Sequence, residues 1–244
     1  MDLLTRTNRT SKEDLLVDET IFSVANGYIG IRGSFTEGYG TEYEYNQAYL
    51  NGLYDFYNYH YEENLSGFPQ QGQRFVNLID GQKIRLTFQK NRINLTTCNI
   101  VSLEREYNLK KGYTKRTIQY QTKDKLYDFF IEETKFVSRA IQELIGIELQ
   151  ISSPNYDGEI KVKSFLQESI RIGVDSTDPR VQLSRNNMVI EAVDSINNSI
   201  TATTKKSGFT VQSTMLHNLD LYTKQDGDIL KSSGYFKVLE PLRI

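Results

Sequence analysis

Ile145-Gly146-Ile147-Glu148-Leu149-Gln150-Ile151 alternates bulky apolar residues with small or polar ones, and this period of two decides the fold class. Successive side chains of an extended strand point to opposite faces, so such a run presents one apolar face and one polar face. The alternation recurs upstream. Ile84, Leu86 and Phe88 interleave with Arg85, Thr87 and Gln89, and Ile93 and Leu95 with Asn94 and Thr96. Asp80-Gly81, Asp157-Gly158 and Asp226-Gly227 punctuate these runs, and Lys111-Gly112 lies between EREYNL and YTKRTIQY. Asp-Gly suits a two-residue hairpin whose central positions need positive φ. Roughly fourteen to sixteen short strands are expected, at the spacing of a sandwich. Helix is expected only briefly: SKEDLL (residues 11–16) can open one, and SRAIQELI (residues 138–145) can make a turn or two. The expected class is all-β, a large antiparallel β-sandwich.

The chain has 244 residues, a length one all-β domain can fill, and its prolines at 69, 154, 179 and 241 mark no linker. Lys plus Arg number 29 against 31 Asp plus Glu, a net charge of −2. That balance gives no basic stripe for nucleic acid and no reason to invoke a membrane surface. Cys98 is the only cysteine, and His60 and His217 the only histidines. No disulfide within the chain and no metal site are expected. The opening MDLLTRTNRTSKEDLL has no apolar leader, and no run reaches the length of a membrane helix, so a cytoplasmic location is expected. Glycines at 27, 30 and 33 do not make a dinucleotide fingerprint, and neither a phosphate-binding loop nor a serine nucleophile elbow occurs.

Residues 52–75, GLYDFYNYHYEENLSGFPQQGQRF, lack clean periodicity and read as a long excursion. Tyr54, Tyr57, Tyr59, His60 and Tyr61 supply polar-tipped rings that can stack on a sugar and hydrogen-bond through their tips. The alternative is a strand whose aromatics fill the core. Carboxylates adjoin at Glu42 and Glu44, Glu62 and Glu63, and Glu132 and Glu133, but proximity in sequence establishes no acid/base pair.

Glu19-Thr20-Ile21-Phe22-Ser23-Val24-Ala25-Asn26-Gly27-Tyr28-Ile29-Gly30-Ile31-Arg32-Gly33 resembles the opening motif of glycoside hydrolase family 65, the maltose, trehalose and kojibiose phosphorylases. The motif is close to E-x-x-F-x-x-x-N-G-Y-x-G-x-R-G, and every fixed position is met. Asn51 to Asp55, Leu65 to Pro69, the hairpin-like REYNLKKGYTKR (Arg105 to Arg116) and Phe136 to Arg139 resemble further family steps in the family's order. Asn26, Gly27, Tyr28, Gly30, Arg32 and Gly33 are expected to be structural. Asn26-Gly27 suits a tight turn after Val24, and Arg32, if buried on a sheet face, needs a carboxylate partner.

The resemblance implies a galactose-mutarotase-like supersandwich over residues 1–244, forming the family's N-terminal domain. It also implies that the (α/α)₆ catalytic barrel, with its general acid and phosphate pocket, lies outside this chain, so no catalytic residue is carried over. The implied parent reaction uses inorganic phosphate as co-substrate, with no other cofactor, on a disaccharide. The implied partners are the barrel and a possible homodimer. Two rival readings are a free-standing carbohydrate-binding sandwich and a mutarotase-like sugar epimerase, which would need His60 or His217 as acid or base.

Overall fold

The computed structural model describes residues 2–40, 46–59, 66–168, 188–238 and 242–243. In chain order the elements are β1 (Leu3–Thr7), α1 (Lys12–Ile21), β2 (Val24–Ala25), β3 (Ile29–Ile31), β4 (Ala48–Asn58), β5 (Gln71–Asn77), β6 (Ile79–Asp80), β7 (Ile84–Phe88) and β8 (Asn91–Arg92). There follow β9 (Cys98–Asn108), β10 (Tyr113–Thr122), β11 (Asp128–Val137), β12 (Ile145–Ser152) and β13 (Glu159–Glu168). The last are β14 (Met188–Asp194), β15 (Ser199–Thr204), β16 (Thr210–Thr214), β17 (Tyr222–Asp226), β18 (Ile229–Lys237) and β19 (Leu242–Arg243). Among the described residues every strand pairing is antiparallel.

The expected all-β sandwich is the observed one. One sheet runs β1-β9-β10-β11-β12-β19. A second runs β17-β18-β13-β7-β8, with β6 also on β13. Their inner faces enclose Leu86, Phe88, Ile118, Tyr120, Phe129, Ile131, Leu149, Ile151, Ile160 and Val162. The smaller sheets β2-β3-β4-β5 and β14-β15-β16 close a second core of Val24, Ile31, Leu53, Val76, Ile200 and Ala202. Strand β13 joins the two cores, because Ile160 and Val162 point into the first and Leu166 into the second. Each fully buried apolar side chain contributes about 1.5–3 kcal/mol over its exposed state.

The helix begins where SKEDLL suggested. The Ser11 side chain caps it by accepting from the Asp14 N–H (3.1 Å), and Glu13 and Asp14 suit the positive end of the helix dipole. It is the only helix among the described residues, since residues 138–144 form bends and a turn rather than helix. The punctuation also needs correction. Lys111-Gly112 and Asp226-Gly227 do turn hairpins, with positive φ at Gly112 and Gly227. Asp157-Gly158 instead links β12 to β13 in a different sheet. Asp80-Gly81 interrupts one path along β13, with β6 before it and β7 after it both paired to that strand. There the Asp80 carboxylate accepts the Gln82 N–H (2.8 Å), a local bond that competes with ladder geometry. Ile93 and Leu95 lie in an irregular loop organised by Asn94, whose side-chain oxygen accepts from the N–H groups of Thr96 and Thr97.

Candidate functional site

The Glu19–Gly33 segment is a structural knot. Asn26 and Ile29 close the turn between β2 and β3 (3.2 Å), with Gly27 at φ +91°, a conformation that favours glycine. The Asn26 side-chain Oδ1 accepts from the N–H groups of Tyr28 and Ile29 (both 2.9 Å), while its Nδ2 donates to the backbone oxygens of Ser138 and Gln142. Gly33 packs so closely that a Cβ there would stand 2.8 Å from Phe22 and 2.9 Å from Arg105. Arg32 finds the expected carboxylate, with its Nη2 3.5 Å from Glu19 Oε2. Asn26, Gly27, Arg32 and Gly33 thus form a turn, a close approach and an ion pair within this segment.

Beside this knot lies a buried ionic cluster. Arg105 on β9 and Arg116 on β10 are directly opposite each other, and both point inward. Like charges in that position repel, so the pairing needs acids between or beside them. Arg116 donates to both Glu37 oxygens (2.6 Å each) and to Glu133 (3.1 Å). Tyr120 donates to Glu37 (2.9 Å), the Thr36 N–H to Glu133 (2.9 Å), and Lys135 to the Ser34 carbonyl (2.5 Å). The Arg116 guanidinium also lies 3.9 Å from the Phe35 ring centroid. Burial alone would push the Glu133 carboxyl up, but Arg116, Lys135 and Thr36 outweigh it and hold it down at about 2. Burial pushes Lys135 down, and Glu133 restores it only in part. At the margin, burial pushes Asp80 up to about 6 against the Gln82 N–H and Asn46. Arg105, Arg116, Glu37, Glu133 and Lys135 are each at most 4% exposed, so these charges meet one another rather than solvent.

The aromatic stretch is not a loose excursion. It is a hairpin of β4 and β5, in register from Tyr54↔Phe75 to Asn58↔Gln71 and extended by the Tyr59 N–H to Gln70 oxygen bond (3.0 Å). It is not core either, since Tyr54, Tyr57 and Tyr59 belong to neither apolar cluster. Asp55 anchors it by accepting the N–H groups of Lys206 and Ser207 in the turn between β15 and β16. Beyond that anchor the two faces differ. Tyr54 packs against Phe75 (4.6 Å between centroids) on one face. Tyr57 and Tyr59 stand together on the other (4.9 Å, edge to face), with their hydroxyls 2.9 Å apart.

Both hydroxyls converge over Gly72, directly across from Tyr57, where a Cβ would meet them at 2.8 Å. Arg74 lies 5.2 Å from the Tyr57 centroid, and its Nε has no hydrogen-bond partner. Burial lowers the Arg74 guanidinium, with Asp55 and Tyr57 pulling against it. The predicted set is therefore split: Tyr57 and Tyr59 act together, Tyr54 faces away, and Gly72 and Arg74 join unforeseen. His60, Tyr61, Leu65, Glu42, Glu44, Glu62 and Glu63 lie outside the described residues.

The remaining candidates do not assemble. Glu132 and Glu133 point to opposite faces, Glu132 outward to Lys115 (2.8 Å) and Glu133 into the cluster. His217 is lowered by burial alone, with no carboxylate acting on it. Among the described residues no group of three or more His, Cys, Asp or Glu could hold a metal, and no helix is long and apolar enough to cross a membrane.

Residues 5–237 match the family described as Glycosyl hydrolase family 65, N-terminal domain. The chain belongs to this family. Among family 65 relatives, an alpha,alpha-trehalose phosphorylase of Geobacillus stearothermophilus is 32% identical over 178 residues, covering 71% of this chain and 23% of that protein. An alpha,alpha-trehalose phosphorylase of Thermoanaerobacter brockii is 29% identical over 221 residues, covering 89% of this chain and 28% of its own length. A solved structure from human microbiome, named for kojibiose phosphorylase, superposes with a TM-score of 0.83 over 99% of this chain and 31% of its own. At 20% identity that last likeness speaks for the fold. The chain thus spans less than a third of the length of each of these three proteins.

Proposed function

We propose that this chain is the non-catalytic N-terminal sandwich of an inverting disaccharide phosphorylase, and that its β4–β5 hairpin forms one wall of the sugar-accepting subsite. In the complete enzyme a carboxylic acid of the helical barrel protonates the glycosidic oxygen of an α-glucosyl disaccharide. Inorganic phosphate attacks the anomeric carbon from the opposite side, the C–O bond to the leaving sugar breaks, and β-glucose 1-phosphate departs. Family membership and the names of its relatives support the reaction class. The observation that carries the role of this chain is the platform of Tyr57, Tyr59, Gly72 and Arg74. Its rings stand outside both cores, two hydroxyls converge on a bare glycine, and a half-buried guanidinium lies beside them. Stacking and hydroxyl contacts of this kind suit a pyranose ring.

The test has two arms. The chain on its own should release no glucose 1-phosphate from maltose, trehalose or kojibiose with phosphate. In the complete enzyme, Tyr57→Ala should raise KM for the disaccharide while leaving the melting temperature nearly unchanged. Phosphorolysis by this chain alone would sink the first arm, and an unchanged KM the second. The free-standing sugar-binding reading rests on the same platform, and titrating the chain with disaccharide separates the two. The epimerase reading is weakened by the isolation of His217.

A further inference from the structure

The outer face of the β17-β18-β13-β7 sheet serves neither the two cores nor the hairpin. Register sets its side chains in adjacent rows across the strands: Thr87, Lys161 and Tyr235; then Arg85, Lys163, Ser233 and Tyr222; then Phe165, Lys231 and Lys224. Lys161 and Lys163 share this face of β13 at i and i+2, about 7 Å apart along the strand, so their long side chains can close on one oxyanion. Lys161 donates to the Tyr235 hydroxyl (2.9 Å) and lies 4.8 Å from that ring's centroid. Arg85 lies 4.8 Å from the Phe165 centroid, and Lys231 pairs with Asp226. Lys163 stands at the centre, across from Arg85 and Ser233, and feels the Asp226 carboxylate that pairs with Lys231. Its ammonium is depressed by burial and by Lys161, Arg85 and Lys231 around it. Tyr222 and Tyr235 flank it with 74% and 61% of their surface exposed. A chain of net charge −2 therefore gathers Lys161, Lys163, Arg85 and Lys231 against the single carboxylate of Asp226, with hydroxyls and two open rings on the same sheet face.

We propose that this face binds a phosphate group, free or carried by a sugar, with Lys161 and Lys163 as its cations, Ser233 as a hydroxyl donor, and Tyr222 and Tyr235 as walls for an attached ring. Ammonium groups hold phosphate oxygens through charge-assisted hydrogen bonds, and tyrosine faces suit a pyranose. The proposal does not rest on the phosphorolysis reading. An enzyme that made no use of phosphate as co-substrate would leave both the face and its test intact.

The test titrates the 244-residue chain with inorganic phosphate, glucose 1-phosphate and glucose at one fixed ionic strength, read by calorimetry and amide chemical shifts. Saturable binding of a phosphate-bearing probe is expected, with shifts on β13 and β18 and no response to glucose. Lys163→Gln should weaken it about tenfold to a hundredfold, and Lys163→Arg should restore most of it. Tighter binding of glucose 1-phosphate than of inorganic phosphate, lost in Tyr222→Ala, identifies a sugar phosphate. Equal binding of the two, indifferent to Tyr222→Ala, identifies the free anion. The proposal falls if neither probe saturates, if matched chloride gives the same response, or if Lys163→Gln binds like the parent with an unchanged melting temperature.

Discussion

Arg116 and Arg74 each lie against an aromatic ring and near a carboxylate, yet they belong to different kinds of structure. Arg116 is 2% exposed, 3.9 Å from the Phe35 centroid, and donates to both Glu37 and Glu133. Arg74 is half-buried in the hairpin, 5.2 Å from the Tyr57 centroid and across from Asp55. The same residue types pair with acids where the whole side chain is enclosed and are left partly open to solvent where it is not. Removing one member of a closed cluster strands the others in low dielectric, whereas water can satisfy what an open one leaves.

The largest effect tests that contrast directly. Arg116→Met leaves Glu37 and Glu133 buried without their cation and should cost about 3–5 kcal/mol in a denaturant melt. Arg74→Met should cost under about 1 kcal/mol. Similar costs for the two would erase the distinction.

The next effect is acid sensitivity. Glu133 is held at about 2, below its ordinary 4.5, so its contribution is fully present above pH 4.5 and is lost as pH falls through that window. On the order of 3 kcal/mol should disappear between those limits. Asp80 has the opposite sign. Raised to about 6 from 3.8, it costs stability above that range and is relieved as pH falls toward 4. Stability plotted against pH should fall steeply only below 4.5, and Glu133→Gln should flatten that limb. An unaltered limb in the variant would assign acid unfolding to other groups.

A smaller effect concerns the open region. In the complete enzyme, Tyr57→Ala should raise KM for the disaccharide about tenfold, as loss of one stacked, hydrogen-bonded ring does, at about 1 kcal/mol of stability. A loss of about 3–5 kcal/mol would mark the ring as core after all.

The gentlest probe is Gly72→Ala. Its new Cβ would meet the tips of Tyr57 and Tyr59 at 2.7–2.8 Å, and both rings can swing aside. Near-ultraviolet circular dichroism should change while stability moves by less than about 0.5 kcal/mol. An unchanged spectrum would mean that the two hydroxyls do not converge there.

Much of the sandwich was legible in single strands. Ile84, Leu86 and Phe88 are buried in alternation, as their pattern requires, and so are Leu149 and Ile151. The ionic cluster was legible too, but only through a different question. On β11 the inward positions read Phe129, Ile131, Glu133, Lys135 and Val137, two charges set into an apolar series. A charged pair at core parity announces buried partners. Treating Glu132 and Glu133 as neighbours hid the fact that they point opposite ways. The hairpin was obscured because its strands alternate aromatic and polar residues on both faces, leaving no apolar side to mark the period. Gly72 and Arg74 gain their meaning only from standing across from Tyr57 and Asp55, and pairing between strands is not written in either strand alone. Asp80-Gly81 misled because Asp80 bonds to the next backbone segment without reversing the chain.

Asn26 has a consequence in time as well as in space. Its amide donates to backbone oxygens 112 and 116 residues further along the chain, and β1 likewise waits for β9. At a ribosomal pace of roughly 5–20 residues per second, the N-terminal knot stays without its far partners for on the order of ten seconds after it emerges. Contacts of such long range also fold slowly once the chain is complete. The most distinctive stretch of this sequence therefore acquires its structure only after more than half of the chain has been made. Nascent chains halted before residue 138 should be cut by protease within residues 19–33, and chains extended well past residue 142 should not.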